Sequence, residues 1–145
     1  MGLEMKIEVV KSIDAEQMDD VHRLIRQLSQ GAILSSTEEF NEIIGSDKLT
    51  MICAIDGSRI VGMLSLVYFR IPTGLRARIE DVVVDESHRR RGIAKTMSEL
   101  AIQKYRDSDA RSLDLTSSPS RVAANELYLK LGFNKRETNV YRFSG

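Results

Sequence analysis

The chain has 145 residues, with 21 basic and 21 acidic side chains, a formal net charge of zero and one cysteine. A chain of that size buries a core of its own as one domain, and balanced charge gives the whole molecule no reason to seek nucleic acid or an anionic membrane. A lone Cys53 excludes an intrachain disulfide or a zinc-thiolate framework, and no apolar run approaches the roughly 18 residues of a membrane span.

The elements alternate along the chain without linkers, repeats or low-complexity tracts, which makes the fold class α/β. Met1 to Glu4 is expected to be a leader ahead of a start at Met5, and residues 5–145 one domain. Ile7 to Val10 predicts a first strand. Asp14 and Gln17 have the spacing of a capping box, after which Met18, Val21, Leu24, Ile25 and Leu28 share one helical face. Ser36 and Glu39 repeat the device before a short helix with Phe40, Ile43 and Ile44 inward and Gly45 at its end.

Residues 49–55 and 59–71 read as antiparallel strands joined at Asp56-Gly57, with Cys53 in the core between its apolar neighbours. After the turn at Pro72 to Gly74, residues 76–84 predict a central strand, 91–107 a helix and 112–116 another strand. Pro119 is placed at the first position of the last helix, and Gly132 ends it. Residues 133–143 are expected to supply one or two terminal strands.

The segment Arg89-Arg90-Arg91-Gly92-Ile93-Ala94-Lys95 reads as an anion cradle. A strand running through a Gly-containing turn into a helix leaves backbone N–H groups unpaired and aims them, with the helix dipole, at one point. Gly92 lets a bulky anion approach, Ala94 keeps the first helical turn clear, and the three arginines add charge. The spacing is neither a Walker loop nor Gly-x-Gly-x-x-Gly. A solvated basic turn or a local nucleic-acid patch would carry the same arginines.

Arg89, Gly92 and Ala94 match Arg/Gln-x-x-Gly-x-Gly/Ala, which after a strand resembles the pyrophosphate-binding motif of the GNAT superfamily of acyl-CoA-dependent N-acyltransferases. Asn125-Glu126-Leu127-Tyr128-Leu129-Lys130-Leu131-Gly132-Phe133 resembles that family's carboxy-terminal signature. Ile79-Glu80-Asp81-Val82-Val83-Val84 resembles its central strand. The three stand in the family's order and spacing, and the resemblance covers residues 5 to 143. It implies a mixed sheet of six to seven strands, about four flanking helices, and a splay between the strands at 76–84 and 112–116.

A crevice between diverging parallel strands is a natural ligand site. The resemblance implies that CoA's pantetheine lies there against the main chain of Val82, Val83 and Val84, with its pyrophosphate on Arg89 to Lys95. Many members also use an asparagine seven residues before the tyrosine. Here that position is Arg121, so either Arg121 or Asn125 is expected to take part.

Unbroken alternation puts Arg78, Glu80, Val82 and Val84 on one face of the strand and Ala77, Ile79, Asp81 and Val83 on the other. Glu80 then faces the ligand and is the expected base, since an ammonium must lose its proton before it can attack a thioester. The alternative for Glu80 is an ion pair with Arg76 or Arg78, and Asp81 is expected to be structural. Ile-Glu-Asp-Val is similar to the matching strand of glucosamine-6-phosphate N-acetyltransferases, but the stretch Thr116 to Ser118 lacks the acidic residues those enzymes carry. Tyr128 is the expected acid for the leaving thiolate, its alternative being plain packing between Leu127 and Leu131. The N–H of Val83 is expected to hold the oxyanion.

These features imply an acetyl-CoA-dependent N-acetyltransferase in the cytoplasm, transferring directly to the primary amine of a small molecule in a ternary complex. Acetyl-CoA is the cosubstrate and no metal is required. Arg70, Arg76 and Arg78 hint at an anionic acceptor such as an amino acid or a phosphorylated amine, with exposed arginines of no specific role as the alternative, and segments 30–39, 70–76 and 138–143 are expected to govern substrate choice. Three alternatives stay open: a protein or peptide amine as acceptor, a non-catalytic CoA-binding regulator, and a nucleic-acid binder whose affinity falls with salt. An exposed strand edge at Thr138 to Phe143 leaves room for a homodimer.

Overall fold

The computed structural model describes residues 5–145, so the expected leader at Met1 to Glu4 lies outside the described residues. Strands β1 (Met5–Val10), β2 (Leu49–Asp56), β3 (Arg59–Ile71), β4 (Gly74–Val84) and β5 (Leu113–Asp114) form one sheet in chain order. The first four pair antiparallel and β5 runs parallel to β4. Helices α1 (Ala15–Leu28) and α2 (Thr37–Gly45) precede β2, α3 (Ile93–Arg106) joins β4 to β5, and α4 (Val122–Lys130) follows β5.

Alternation in the strands divides the core into two layers. On one face Met51, Cys53, Ile55, Ile60, Met63 and Val83 meet Met18, Val21 and Leu24 of α1 and Phe40 and Ile44 of α2. On the other, Ile52, Ala54, Val61, Leu64, Leu66, Ala77 and Ile79 meet Ile93, Met97 and Ala101 of α3. The close approach of α3 depends on Gly62, where an added Cβ would lie 3.2 Å from Ala54 Cβ and 3.3 Å from Ile93 Cγ2. Cys53 is fully buried, and that burial, with the charge of Glu8, pushes its thiol up to about 12.

Both expected capping boxes form: Asp14 caps α1 with Gln17, and Ser36 caps α2 with Glu39. Ile43, expected inward, is 46% exposed, because the nine-residue helix turns only Phe40 and Ile44 to the sheet. Pro119 is not helical. Ser118 O accepts from Arg121 N–H in a turn, and the helix starts at Val122.

The sheet has fewer strands than the six or seven expected. Phe133 to Phe143 form no strand, with Val140, Tyr141 and Phe143 exposed at 77%, 87% and 93%. Asn134 to Asn139 is a run of polar residues with nothing to bury, and β5 is too short to template a further strand. The strand edge expected at Thr138 to Phe143 is therefore not formed.

Candidate active site

Two irregularities at the carboxyl end of β4 create the site. Ser65 pairs with Glu80 and Met63 with Val83, so two residues of β4 oppose one of β3 and Asp81-Val82 forms a bulge. Asp81 adopts φ 51°, a left-handed conformation uncommon for a side chain other than glycine. The bulge overturns the unbroken alternation expected here. Val82 and Val84 pack with Ile79 on the α3 face, while Val83 joins the α1 layer.

The second irregularity is a divergence. β4 and β5 pair only at Ala77 with Leu113 and Arg78 with Asp114, well short of the expected 112–116. Beyond Arg78 that edge of β4 has no neighbouring strand among the described residues, which leaves an open crevice and unpaired backbone.

On the cofactor side a groove of about 1170 Å³ runs along Val82, Val83 and Val84, over Arg89, Arg90, Gly92, Ile93, Ala94 and Lys95, and up to Arg121 and Tyr128. Unlike α1 and α2, α3 begins with no side-chain cap and no acidic residue in its first turn. Its first N–H groups have no intrahelical partner, so an anion can take the place of the cap. Gly92 starts the helix at φ 74°, an added Cβ there would meet nothing within 4 Å, and Arg90 shares the left-handed conformation at φ 66°. Arg89 Nε donates to Val84 O at 3.3 Å and ties the cradle to the strand end.

Not every expected cofactor contact lies here. Arg91 and Asn125 do not line the groove. The Asn125 amide is spent inside the fold, donating to Ser118 O at 3.0 Å. Ser117, which sequence reasoning missed, lines the groove with its hydroxyl buried and without a protein partner. A buried hydroxyl in that state has hydrogen-bonding capacity to offer a ligand.

The cradle is anchored from behind by a polar network. Asp85 accepts from Arg23 Nε at 3.1 Å, Gln27 Nε2 at 2.7 Å and the Ser87 hydroxyl, while Gln27 Oε1 accepts from Glu86 N–H at 3.2 Å. Buried Asp20 accepts from Arg23 Nη1, Arg59 Nε and the Ile60 N–H, each at 2.9 Å. Burial alone would push both carboxyls up. The hydrogen bonds and arginine charges outweigh it and hold both below the usual carboxylate range.

A second, smaller pocket of about 170 Å³ opens on the other side of Tyr128, lined by Leu28, Ile79, Glu80, Asp81, Val82, Leu115, Thr116 and Arg121. Glu80 reaches this pocket as expected, and it also pairs with Arg78 at 3.3 Å. Asp81, expected to be structural, lies in the pocket too. It keeps an exposed edge there, yet partial burial and the neighbouring Glu80 charge hold its carboxyl above the ordinary range. Arg70 sits opposite Leu75 near the far end of the β3–β4 hairpin and lines neither pocket.

Tyr128 lines both pockets and is 7% exposed. Phe133 N–H donates to Tyr128 O at 3.0 Å and Gly132 N–H to Leu129 O at 3.1 Å, a Schellman ending with Gly132 at φ 104°. That turn sets Phe133 edge-on to the Tyr128 ring, centroids 5.9 Å apart at 73°. Burial pushes the phenol up and the Arg121 charge draws it partly back, leaving it above its usual value.

Known proteins are similar to this chain in sequence and in fold. The human protein N-acetyltransferase 8 is 32% identical over 79 residues, a stretch covering 53% of this chain and 35% of that protein. The chain thus spans about a third of the length of this curated relative. Among solved structures, an aminoglycoside acetyltransferase from an uncultured soil metagenomic sample superposes with a TM-score of 0.83 at 18% identity, over 98% of this chain and 96% of that one. A Trypanosoma brucei acetyltransferase gives 0.78 at 22%, over 97% and 99%. The aminoglycoside N-acetyltransferase AAC(6')-Iy, solved with CoA, gives 0.79 at 19%, over 99% and 97%. At those identities the superpositions establish the fold. The sequence model of the acetyltransferase (GNAT) family matches residues 18–133, and on that match the chain belongs to the GNAT family.

Proposed function

We propose that the protein transfers the acetyl group of acetyl-CoA directly to the primary amine of a small molecule within a ternary complex. The observation that carries this reading is that Tyr128 is shared by two pockets. One leads to the uncapped α3 terminus and the other holds Glu80 and Asp81. A thioester laid along Val82 to Val84 presents its carbonyl beside the phenol, with an amine entering from the carboxylates.

Within this reading Asp81 takes the amine's proton. Glu80 is engaged by Arg78, whereas Asp81 has no hydrogen bond or ion pair among the described residues. Partial burial and the Glu80 charge raise its proton affinity above that of an ordinary aspartate, the direction that favours taking up a proton. The amine nitrogen attacks the thioester carbon, and an N–H on the open edge of β4 holds the oxyanion, rather than the Val83 N–H, which faces Met63 across the ladder. Collapse expels the thiolate, which takes the Tyr128 proton, and the phenolate takes the second proton from nitrogen. Ser117 serves the cofactor along the groove wall, and chemistry in these residues needs no metal.

Initial velocities measured while acetyl-CoA and amine are both varied test the ternary complex. Intersecting double-reciprocal lines are expected; parallel lines would mean an acetylated enzyme and overturn direct transfer. Thiol release from acetyl-CoA that no amine stimulates, despite tight CoA binding, would favour the regulator reading.

A further inference from the structure

We propose that Arg121 selects an acceptor carrying an anionic group, so that the substrate of this site is a small amine bearing a carboxylate or phosphate. The proposal rests on the transferase reading above and extends it to substrate class.

The charges around the crevice carry the inference. Arg78 is balanced by Glu80 at 3.3 Å. Of the other basic side chains that line the groove, Arg89 donates to Val84 O, and Arg90 and Lys95 belong to the α3 cradle, away from the acceptor pocket. Arg121 lines both pockets, yet its guanidinium has no hydrogen bond or ion pair among the described residues. It therefore presents unused donors and a full charge to whatever enters beside Tyr128. Its charge is felt at the Tyr128 phenol, which places it close to the reacting centre.

The proton balance of the reaction sharpens the point. The acceptor arrives as an ammonium and Asp81 as a carboxylate; one proton passes from nitrogen to Asp81, the second leaves the tetrahedral intermediate for the Tyr128 oxygen that has protonated the thiolate, and the product is a neutral amide. Ammonium and Asp81 cancel each other before the transfer and both are neutral after it, so Arg121 lacks a counter-charge throughout. An anion on the acceptor supplies one in a narrow pocket, where a bidentate guanidinium contact is strong. The first turn of α4 carries no acidic residue to oppose such an anion, and its dipole favours one. A polycationic acceptor would instead set its remaining charges against Arg121, with Glu80 already paired to Arg78 and Asp81 engaged by the reacting amine, in a pocket of about 170 Å³ that encloses little beyond the reacting end. Arg70, in contrast, lies at the far end of the β3–β4 hairpin and lines neither pocket, so the acidic preference hinted at by the exposed arginines moves to Arg121.

The test compares kcat/KM, by thiol release from acetyl-CoA, for ω-amino carboxylates of increasing length against their primary amides, and for aminoalkyl phosphates against the matching amino alcohols. The ratio within each pair cancels any effect on cofactor binding. In the wild type one anionic series is expected to exceed its neutral partners by about ten- to a hundredfold, and which series does so identifies the anion. Arg121→Gln should bring the ratio near one, Arg121→Lys should restore part of it, and Arg121→Glu should invert it. A wild-type ratio near one in both series overturns the proposal. So does a ratio that survives Arg121→Gln, or a variant that slows anionic and neutral amines equally, since Arg121 would then act on the thiolate or the phenol. Thiol release from no amine at all, anionic or neutral, would overturn the transferase reading and this proposal with it.

Discussion

At the scale of single residues, the chemistry turns on how neighbours set proton affinity at adjacent positions. The Glu80 charge raises Asp81, so Glu80→Gln should lower the Asp81 pKa and move the acidic limb of the kcat/KM profile to lower pH, with activity retained on the plateau. Asp81→Asn should reduce kcat/KM by roughly a hundredfold or more at neutral pH and recover as alkaline pH deprotonates the amine. Reversal of the two phenotypes would return the role of base to Glu80. Tyr128→Phe should leave acetyl-CoA affinity unchanged within about threefold and slow turnover by about tenfold or more, because the phenol is raised and stays protonated through the neutral range. Equal turnover in wild type and Tyr128→Phe would remove the phenol from the reaction.

The positions of Glu80 and Tyr128 beside the crevice were legible in the sequence because motif and spacing mark them. Asp81 was not. Its assignment depended on strict alternation, and the bulge that breaks the alternation is built on an aspartate in a left-handed conformation, with no glycine or proline to announce it. Asn125 failed for a related reason: spacing allowed it to face the groove, but the Ser118 carbonyl left by the turn claimed its amide.

At the scale of elements, a helix start and a helix end position the reaction. Gly92→Glu puts a strained backbone and a negative charge at the uncapped start of α3, and calorimetric titration should show acetyl-CoA binding weakened at least a hundredfold. Unchanged affinity would mean that the cofactor lies elsewhere. Gly132→Ala places a Cβ on a residue at φ 104°, with nothing within 4 Å to clash, so its cost is conformational, about 1–2 kcal/mol. By loosening the turn that seats Phe133 on Tyr128, it should lower kcat more than it raises the KM for acetyl-CoA. Long amphipathic helices and capped ends were readable because their signals are local: Asp14 with Gln17, Ser36 with Glu39. The length of β5 and the state of residues 133–143 were not, since strand pairing depends on a partner edge that local sequence does not describe.

At the scale of the whole molecule, the buried carboxylate of Asp20 and the half-buried one of Asp85 tie α1 to β3 and to the turn that leads into the cradle. Both have lowered pKa values in the fold, so their stabilisation is complete above the unfolded value near pH 4 and is lost as pH falls through the lower folded values. Thermal midpoints should therefore drop steeply below about pH 4. Asp20→Ala, which leaves the Ile60 N–H and two arginines without their acceptor, should cost roughly 3 kcal/mol in denaturant unfolding. A flat acid profile or a cost under about 1 kcal/mol would mean that the network contributes little to holding the cradle. The two-layer α/β architecture and its family were visible from residue patterns alone, because periodicity, capping and the Arg-x-x-Gly-x-Ala turn all point to one fold. The charge balance of the acceptor pocket was not, as it depends on which arginines fold onto carboxylates and which stay free.

The decisive measurement is release of free thiol from acetyl-CoA by the full chain, with and without amines spanning amino carboxylates, aminoalkyl phosphates, polyamines and amine-terminated peptides, and with the acylated product weighed by mass spectrometry. Amine-dependent release with a mass gain of one acetyl group on the amine is predicted. Acetyl-CoA that binds the groove but is cleaved no faster with any amine than with water would contradict acetyl transfer in the crevice between β4 and β5.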